Sequence, residues 1–176
     1  MSPVPRSTPF WMRAWFVTTS LIVLWDAAYC LLRPHSMEGG KYFVFFSPYK
    51  LYGTVDKLYG PEAIEDNNGF TGAQAFMNLI EISLGLLFVR MVGNKNYTQG
   101  QANLVGFSAS ILTLAKTILY WLMEVFSAME HTKHNDWMTW IFLWVIPNGI
   151  WLVVPSIISL NLGRDLFQRL EHGKTE

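Results

Sequence analysis

The sequence predicts an all-α membrane protein, a bundle of four transmembrane helices with an aromatic-rich cap in the first loop. Of the 176 residues, 51% are hydrophobic and only 15% are charged, whereas a soluble domain has about 25% charged residues to cover its surface. The apolar residues also fall into four blocks, each long enough for the ~20 helical residues that cross a bilayer. Both observations exclude an ordinary soluble domain.

Each apolar block predicts one helix. The predicted helices cover residues 14–32, 70–92, 103–128 and 137–162. The first block is longer than the apolar run of a signal peptide, and no small-residue cleavage pattern follows it, so we interpret it as a helix.

The chain has no long Gly/Ser or Pro linker, which predicts a single membrane domain. We expect residues 1–13 to form a flexible N-terminal lead, residues 14–162 the membrane domain, and residues 163–176 a polar C-terminal tail.

Charge outside the spans bears on orientation and partners. Four spans place both termini and the loop after the second helix on one side, which carries seven Lys and Arg against five on the other. The positive-inside rule therefore favours cytosolic termini. The sequon at Asn96 would lie on that side and stay unmodified. The net charge is zero, and without a basic stripe we expect no nucleic acid partner.

The reactive side chains predict no metal and no cofactor. Cys30 is the only cysteine, which excludes an internal disulfide, and we expect it to pack as a small apolar residue. His131 and His134 are three residues apart in a short loop, but no further ligands are in reach for a metal ion.

The first loop, residues 33–69, is too aromatic for a plain linker. Tyr and Phe at this density are typical of an interfacial cap, with rings at headgroup level or packed across the mouth of the bundle. Residues 42–46 predict a short strand or extended segment, and residues 48–59 a short helix with Tyr52, Asp56 and Tyr59 on one face. Two interpretations stay open: a structural lid, or a cap in which Asp56 contributes to a binding pocket.

Four ionisable residues lie inside the predicted spans: Asp26, Glu81, Lys116 and Glu124. A charge at mid-bilayer costs about 2.5–3.5 kcal/mol on insertion scales. We therefore expect these side chains to face one another or a cavity rather than lipid.

The helical spacing places these charges on polar stripes. Gln74, Asn78, Glu81 and Gly85 share one face of the second helix, and Lys116, Tyr120 and Glu124 share one face of the third. Lys116 and Glu124 are separated by about 12 Å along the helix axis, so each needs a partner elsewhere.

The fourth helix presents an aromatic face. Trp137, Trp140, Trp144, Asn148 and Trp151 recur at steps of three or four. Trp137 fits an interfacial belt, but Trp144 and Trp151 flank Asn148 well inside the span, which predicts that they line a cavity. Pro147 and Pro155 should loosen or kink the helix locally.

Acids inside an aromatic box suit carbocation chemistry. Desolvation favours the protonated carboxyl group, which can then deliver a proton at neutral pH and accept it back. Indole and phenol rings attract a cation by ~2 kcal/mol or more when it is desolvated. The pattern predicts a site that protonates an alkene or a carbonyl and shelters the resulting cation. The same box would bind an amine.

Several motifs resemble the EXPERA-domain family, which includes sterol Δ8–Δ7 isomerases and the sigma-2 receptor. The resemblance covers roughly residues 25–162 and rests on these segments: WDAAYCLLRP, SPYKLYGTVDKLYG, Glu81, LYWLMEV and WIFLWVIPNGIWLVVP. It implies a four-helix fold in the endoplasmic reticulum membrane.

The resemblance also implies roles for individual residues. Glu81 matches the intramembrane glutamate of the family, which in the isomerases helps to move the proton, and Asn148 and Trp151 match cavity-lining residues. Asp26, Asp56 and Glu124 match acidic positions. Ile22 stands where the isomerases have a histidine, and Lys116 has no recognised counterpart.

These observations predict an isomerase or cyclase for an apolar, isoprenoid-like small molecule. The expected catalytic residues are Glu81, as proton donor, and Asp26. The expected substrate-binding residues are Asn78, Asn148, Trp151, Trp144, Tyr120, Lys116, Glu124 and Asp56.

Two rivals stay open: a non-catalytic protein that binds sterols or cationic amines, and a purely structural ion network. The expected partners are the apolar substrate and the lipid bilayer. Small residues on the second and third helices permit a homodimer.

Overall fold

A computed structural model describes residues 8–172 of the chain and confirms the all-α architecture, with no strand in that range. The first span is α1 (Phe10–Leu31) and the cap carries α2 (Phe43–Phe46), α3 (Pro48–Val55) and α4 (Glu62–Glu65). The second and third spans are α5 (Phe70–Met91) and α6 (Gln99–Phe126). The fourth consists of α7 (Trp137–Trp140), a π-helical turn (Ile141–Val145) and α8 (Ile146–His172). All four spans are long and apolar enough to cross a membrane.

Three of the four spans begin earlier or end later than the apolar runs indicated, whereas α5 matches its predicted span to within one residue. α1 starts at Phe10, directly after Pro9, rather than at residue 14. α6 starts at Gln99 because Thr98 forms a capping box with Gln101: its hydroxyl accepts from the Gln101 amide at 3.2 Å, and the Gln101 side chain accepts from the Thr98 amide at 2.9 Å. The last helix continues to His172, through residues expected to form a polar tail.

The spans pack in chain order, α1 against α5, α5 against α6, and α6 against α8. One apolar core lies toward the end of the bundle that carries the chain termini, and it contains Phe16, Phe88, Ile158 and Leu162. On the same side of the bundle, Trp15 of α1 and Trp151 of α8 meet with ring centroids 5.5 Å apart. The half of the bundle beneath the cap is more polar, and the cavity lies there.

The fourth span is interrupted where proline removes a backbone donor. Pro147 has no N–H, and just before it the amide of Ile146 donates to the Ile141 carbonyl, five residues back instead of four. Such π-turns insert one extra residue into a helix. The turn changes the direction of every side chain that follows relative to an uninterrupted α-helix. The spacing of the aromatic face on the fourth helix did not predict this π-turn.

The first loop folds into a helical cap. Residues 43–46 form a helical turn, so the expected strand or extended segment is wrong, and the predicted helix at residues 48–59 ends at Val55. The rings of Tyr29 and Tyr49 stack with centroids 3.9 Å apart, and Tyr49 stacks on Tyr59 at 5.9 Å. Phe45 is 69% exposed, whereas Phe46 is buried. The cap thus covers the bundle mouth with stacked rings and leaves at least one ring, that of Phe45, exposed on its outer side.

Candidate functional site

A cavity of about 460 Å³ lies between the four spans, beneath the cap. This volume is typical of sites for small ligands. The cavity is lined by residues of all four spans and of the cap, and most of its lining is apolar. The main polar lining residues are Asp26, Gln74, Asn78, Lys116, Tyr120 and Asn148.

Asp26 is the acid on the cavity wall. The Tyr49 hydroxyl donates to its Oδ1 at 2.8 Å, and the Asn78 amide donates to its Oδ2 at 3.3 Å. Tyr49 comes from the cap and Asn78 from α5, so the carboxyl group of α1 is held from two directions. It remains partly exposed to the cavity.

Asn78 connects Asp26 to a buried ion pair. Its Oδ1 accepts from the Lys116 ammonium, whose Nζ also lies 2.9 Å from Oε2 of Glu81. That second contact is an ion pair without the alignment of a hydrogen bond. Lys116 lines the cavity, whereas Glu81 does not. The acid that the sequence favoured as proton donor therefore lies behind the lysine.

The charges of this group do not balance when all three side chains are ionised. Asp26 and Glu81 supply two carboxyl groups, and Lys116 supplies one ammonium group. Arg33, a further cation whose charge acts on Asp26, donates to the Leu58 carbonyl at 2.9 Å and to the Thr71 hydroxyl. The group is therefore neutral either with the charge of Arg33 or with a proton on one carboxyl group.

The fourth span supplies an amide and an indole ring to the cavity wall. Asn148 donates to the Trp144 carbonyl at 2.8 Å and to the Tyr52 hydroxyl at 3.4 Å, so its side chain is held between α8 and the cap. Trp151 lines the cavity and packs against Trp15. These two residues fulfil the expected cavity-lining role.

Asp56 lies in a second polar group behind the cavity wall. The Tyr120 hydroxyl and the Trp144 indole N–H, at 3.0 Å, donate to its Oδ2, and the Leu58 amide donates to its Oδ1 at 2.9 Å. Asp56 is fully buried, and this burial raises the pKa of its carboxyl group despite the three donors. Trp144 is also fully buried. Of this group, Tyr120 alone lines the cavity.

The cap tyrosines stay neutral at physiological pH. Burial raises the pKa of the Tyr49, Tyr52 and Tyr59 hydroxyls above the ordinary value of 10.0. Tyr49 therefore keeps the proton that it donates to Asp26.

Glu124 belongs to a third group, away from the cavity. Its Oε1 lies 2.5 Å from Nδ1 of His131, and its Oε2 accepts from the Thr132 hydroxyl at 2.9 Å. The chain reverses after α6 through Ala128 and Met129, both with positive φ, and so returns His131 to the helix end. These contacts fix the loop between the third and fourth spans.

Six of the ten predicted site residues line the cavity: Asp26, Asn78, Lys116, Tyr120, Asn148 and Trp151. The other four do not: Glu81, Asp56, Trp144 and Glu124. Spacing on one helix indicates which face points inward. It does not indicate whether a side chain from another helix lies between that face and the cavity. Lys116 of α6 lies in this way between Glu81 and the cavity.

The sequence analysis missed two residues that shape the site. Tyr49 holds Asp26, and Gln74 donates to the Lys116 carbonyl at 3.2 Å and lines the cavity. Gln74 was on the predicted polar stripe of α5, so its signal was present. The cap contains many Tyr and Phe residues, and nothing in the sequence distinguished Tyr49 from the others as a partner of Asp26.

Within residues 8–172, no three His, Cys, Asp or Glu side chains are grouped so that they could hold a metal ion. His134 instead contacts the Thr54 carbonyl at 2.7 Å. Comparison with family models, with curated proteins and with solved structures finds no match for this chain.

Proposed function

We propose that this protein is a membrane-embedded isomerase or cyclase for an apolar, isoprenoid-like molecule, with Asp26 as the group that exchanges a proton with the substrate. The observation that carries the proposal is the position of its carboxyl group: on the cavity wall, held by Tyr49 and Asn78, beside an ion pair that already neutralises Glu81.

The surroundings of Asp26 support both protonation states. An apolar cavity favours the neutral acid. After the proton leaves, the Tyr49 hydroxyl and the Asn78 amide donate to the carboxylate. The same group can therefore give a proton to an alkene or carbonyl and later remove one from the cation. Isomerisation consumes no other reactant.

The aromatic lining supports the cationic intermediate. Trp25, Tyr120 and Trp151 line the cavity, and their ring faces attract positive charge. The apolar remainder of the wall keeps water from the cation. The resemblance to the EXPERA-domain family, residence in the endoplasmic reticulum and cytosolic termini belong to the same proposal.

A second candidate is a non-catalytic receptor for cationic amines. One observation favours it: among residues 8–172, Asp26 has no ion-pair partner, while Lys116 is paired with Glu81. An ammonium ligand could then pair with the Asp26 carboxylate among the surrounding rings.

The test is solvent isotope incorporation. Purified protein in lipid nanodiscs is incubated with isoprenoid alkenes and aldehydes in deuterated water, and products are analysed by mass spectrometry. An enzyme is expected to introduce deuterium or change the product, and Asp26→Asn should reduce the rate by about 10²–10⁴-fold because the general acid is lost. Asn keeps an oxygen for the Tyr49 hydroxyl, which favours an intact fold.

Glu81→Gln is the matched comparison, because Glu81 does not line the cavity. A smaller loss is expected there than in Asp26→Asn. Full activity in Asp26→Asn would overturn the assignment of the acid. Tight amine binding without deuterium incorporation for any alkene or aldehyde would instead select the receptor.

A further inference from the structure

Lys116 is a primary amine on the wall of an apolar cavity. Its side chain is 15% exposed, and it lines the cavity beside Asn78, Thr113 and Thr117. Acid–base chemistry through Asp26 does not require an amine there. An intramembrane ionisable residue is costly, which makes its presence a sign of function.

The contacts of Lys116 fix its amine at one point of the cavity wall. Asn78 accepts a hydrogen bond from it, and Glu81 holds it from the side away from the cavity. The two neighbouring hydroxyls use their protons elsewhere, since Thr113 donates to the Ala109 carbonyl and Thr117 to the Thr113 carbonyl. The free approach to the nitrogen is from the cavity.

We propose that Lys116 binds apolar aldehydes covalently, as an imine, with Glu81 as its counter-ion. This activity goes beyond the proposed function, since it requires the cavity and the amine but no turnover of an alkene. Lysine amines are the groups that form Schiff bases with carbonyl substrates.

The step balances with the groups present. Lys116 first transfers a proton to the Glu81 carboxylate, and its free amine forms a C–N bond with the carbonyl carbon while a proton moves from nitrogen to oxygen. The Glu81 carboxyl group then returns its proton, the C–O bond breaks and water leaves. The products are a protonated imine, with the same single positive charge as the original ammonium, and a carboxylate paired with it.

Charge explains why an aldehyde fits better than a carboxylate ligand. Two carboxyl groups already lie near the single ammonium, so an anionic ligand would be a third acid beside one base. An aldehyde arrives neutral. The imine keeps the positive charge next to Glu81, so the ion pair survives the reaction.

The test uses dodecanal as the probe and sodium cyanoborohydride to trap the imine as a stable secondary amine. Protein in nanodiscs is treated with limiting aldehyde, digested and mapped by mass spectrometry. Exposed lysines such as Lys41, Lys50 and Lys133 serve as internal controls. Lys116 should be modified at least about tenfold more than each of them, because the cavity holds the aldehyde beside the amine.

Two variants complete the test. Lys116→Arg keeps a cation beside Glu81 but cannot form the imine, and it should lose cavity labelling while the exposed lysines react as before. Ile22→Trp, at the cavity wall, should reduce Lys116 labelling by narrowing the cavity, with the amine intact. Labelling spread evenly over exposed lysines, or no adduct at Lys116, would overturn the proposal. That outcome would leave the proposed function open, because deuterium incorporation into alkenes tests Asp26 separately.

Discussion

Asp26 and Glu81 are both acids inside apolar spans, yet their carboxyl groups have different surroundings. Glu81 is buried against the ammonium of Lys116, so its charge is neutralised by a fixed partner. Asp26 is held by two neutral donors and reaches the cavity. Of the two acids, only Asp26 is placed to contact a molecule in the cavity directly, because Lys116 lies between Glu81 and the cavity. The difference between the two acids therefore comes from their hydrogen-bond and ion-pair partners.

Asp56 allows a test of burial through pH. Because its pKa in the folded protein is raised above 3.8, the unfolded chain loses this proton at lower pH than the folded protein does. The stabilising contribution is complete below pH 3.8 and is lost as pH rises through the raised folded value. Asp56→Asn cannot ionise. Thermal unfolding in nanodiscs from about pH 4 to about pH 8 should therefore show a shallower decline of stability with pH in the variant.

The control for this prediction has the opposite sign. Asp136 lies outside the spans, and the Thr139 hydroxyl and amide hold the pKa of its carboxyl group below 3.8. Its contribution is present above pH 3.8 and lost as pH falls through the lower folded value. Asp136→Asn should therefore steepen the decline with rising pH or leave it unchanged. Parallel pH profiles for Asp56→Asn and the unmodified protein would contradict the burial argument.

Individual site residues were predictable to the extent that they depend on helical periodicity. The stripe through Gln74, Asn78 and Glu81 indicated the inward face of α5 correctly. The pairing of Lys116 with Glu81 rather than Asp26 was not predictable, because it depends on the axial offset between α5 and α6. Glu124 binds His131 because the chain reverses through positive φ angles, for which the sequence contains no glycine signal.

At the element scale, close helix packing depends on two glycines. A Cβ on Gly106 of α6 would lie 2.6 Å from the ring of Phe88 and 3.0 Å from Leu162, and one on Gly85 of α5 would lie 2.8 Å from Phe16. Small residues in spans let helix backbones approach one another. These two glycines serve contacts within the chain. A homodimer through small residues stays a prediction for the remaining positions.

The packing argument predicts opposite effects for two alanine substitutions. Gly106→Ala should destabilise the protein by about 1–3 kcal/mol, because the added methyl group overpacks the core around Phe88. Gly149→Ala, where nothing lies within 4 Å of the added Cβ, should be neutral or stabilise by up to about 1 kcal/mol through helix propensity. Thermal unfolding of both variants in the same detergent measures the difference. Equal Tm values would show that α5, α6 and α8 do not approach as closely as described.

The elements themselves were largely predictable; Pro147 also indicated a local loosening of the fourth helix, but not the π-turn in which it appears. Apolar length located all four spans, and the capping box at Thr98 was readable from the sequence in hindsight. The π-turn forms because the Ile146 amide donates to the Ile141 carbonyl, five residues back, instead of the carbonyl four residues back. The next residue, Pro147, has no N–H. That choice brings Trp144 under the cap, where its indole N–H reaches Asp56. Spacing counted on an uninterrupted α-helix cannot show this, because the π-turn redirects the side chains that follow it.

At the scale of the whole molecule, the two ends of the bundle are closed in different ways. The cap closes one end with stacked tyrosines, and Asn135 ties it to the third loop by donating to the Val55 carbonyl at 2.7 Å. At the opposite end, Asn103 donates to Asp165 at 2.7 Å, and Arg169 pairs with the same carboxylate at 2.5 Å. The polar cavity lies near the capped end, so the side of the membrane on which the cap lies is the side nearer to the cavity.

Topology can be tested with two single-cysteine probes. Glu65 lies in the cap and Asn96 in the loop after the second span, and both are exposed. Neither Glu65→Cys nor Asn96→Cys changes the number of Lys and Arg residues, so both variants keep the charge difference from which cytosolic termini are predicted. The native Cys30 is 6% exposed and should contribute little background.

In sealed microsomes with the cytosolic face outward, an impermeant maleimide should label Asn96→Cys at once and Glu65→Cys only after permeabilisation. The reverse pattern would place the termini in the lumen, and labelling of both probes before permeabilisation would contradict an odd number of crossings between them.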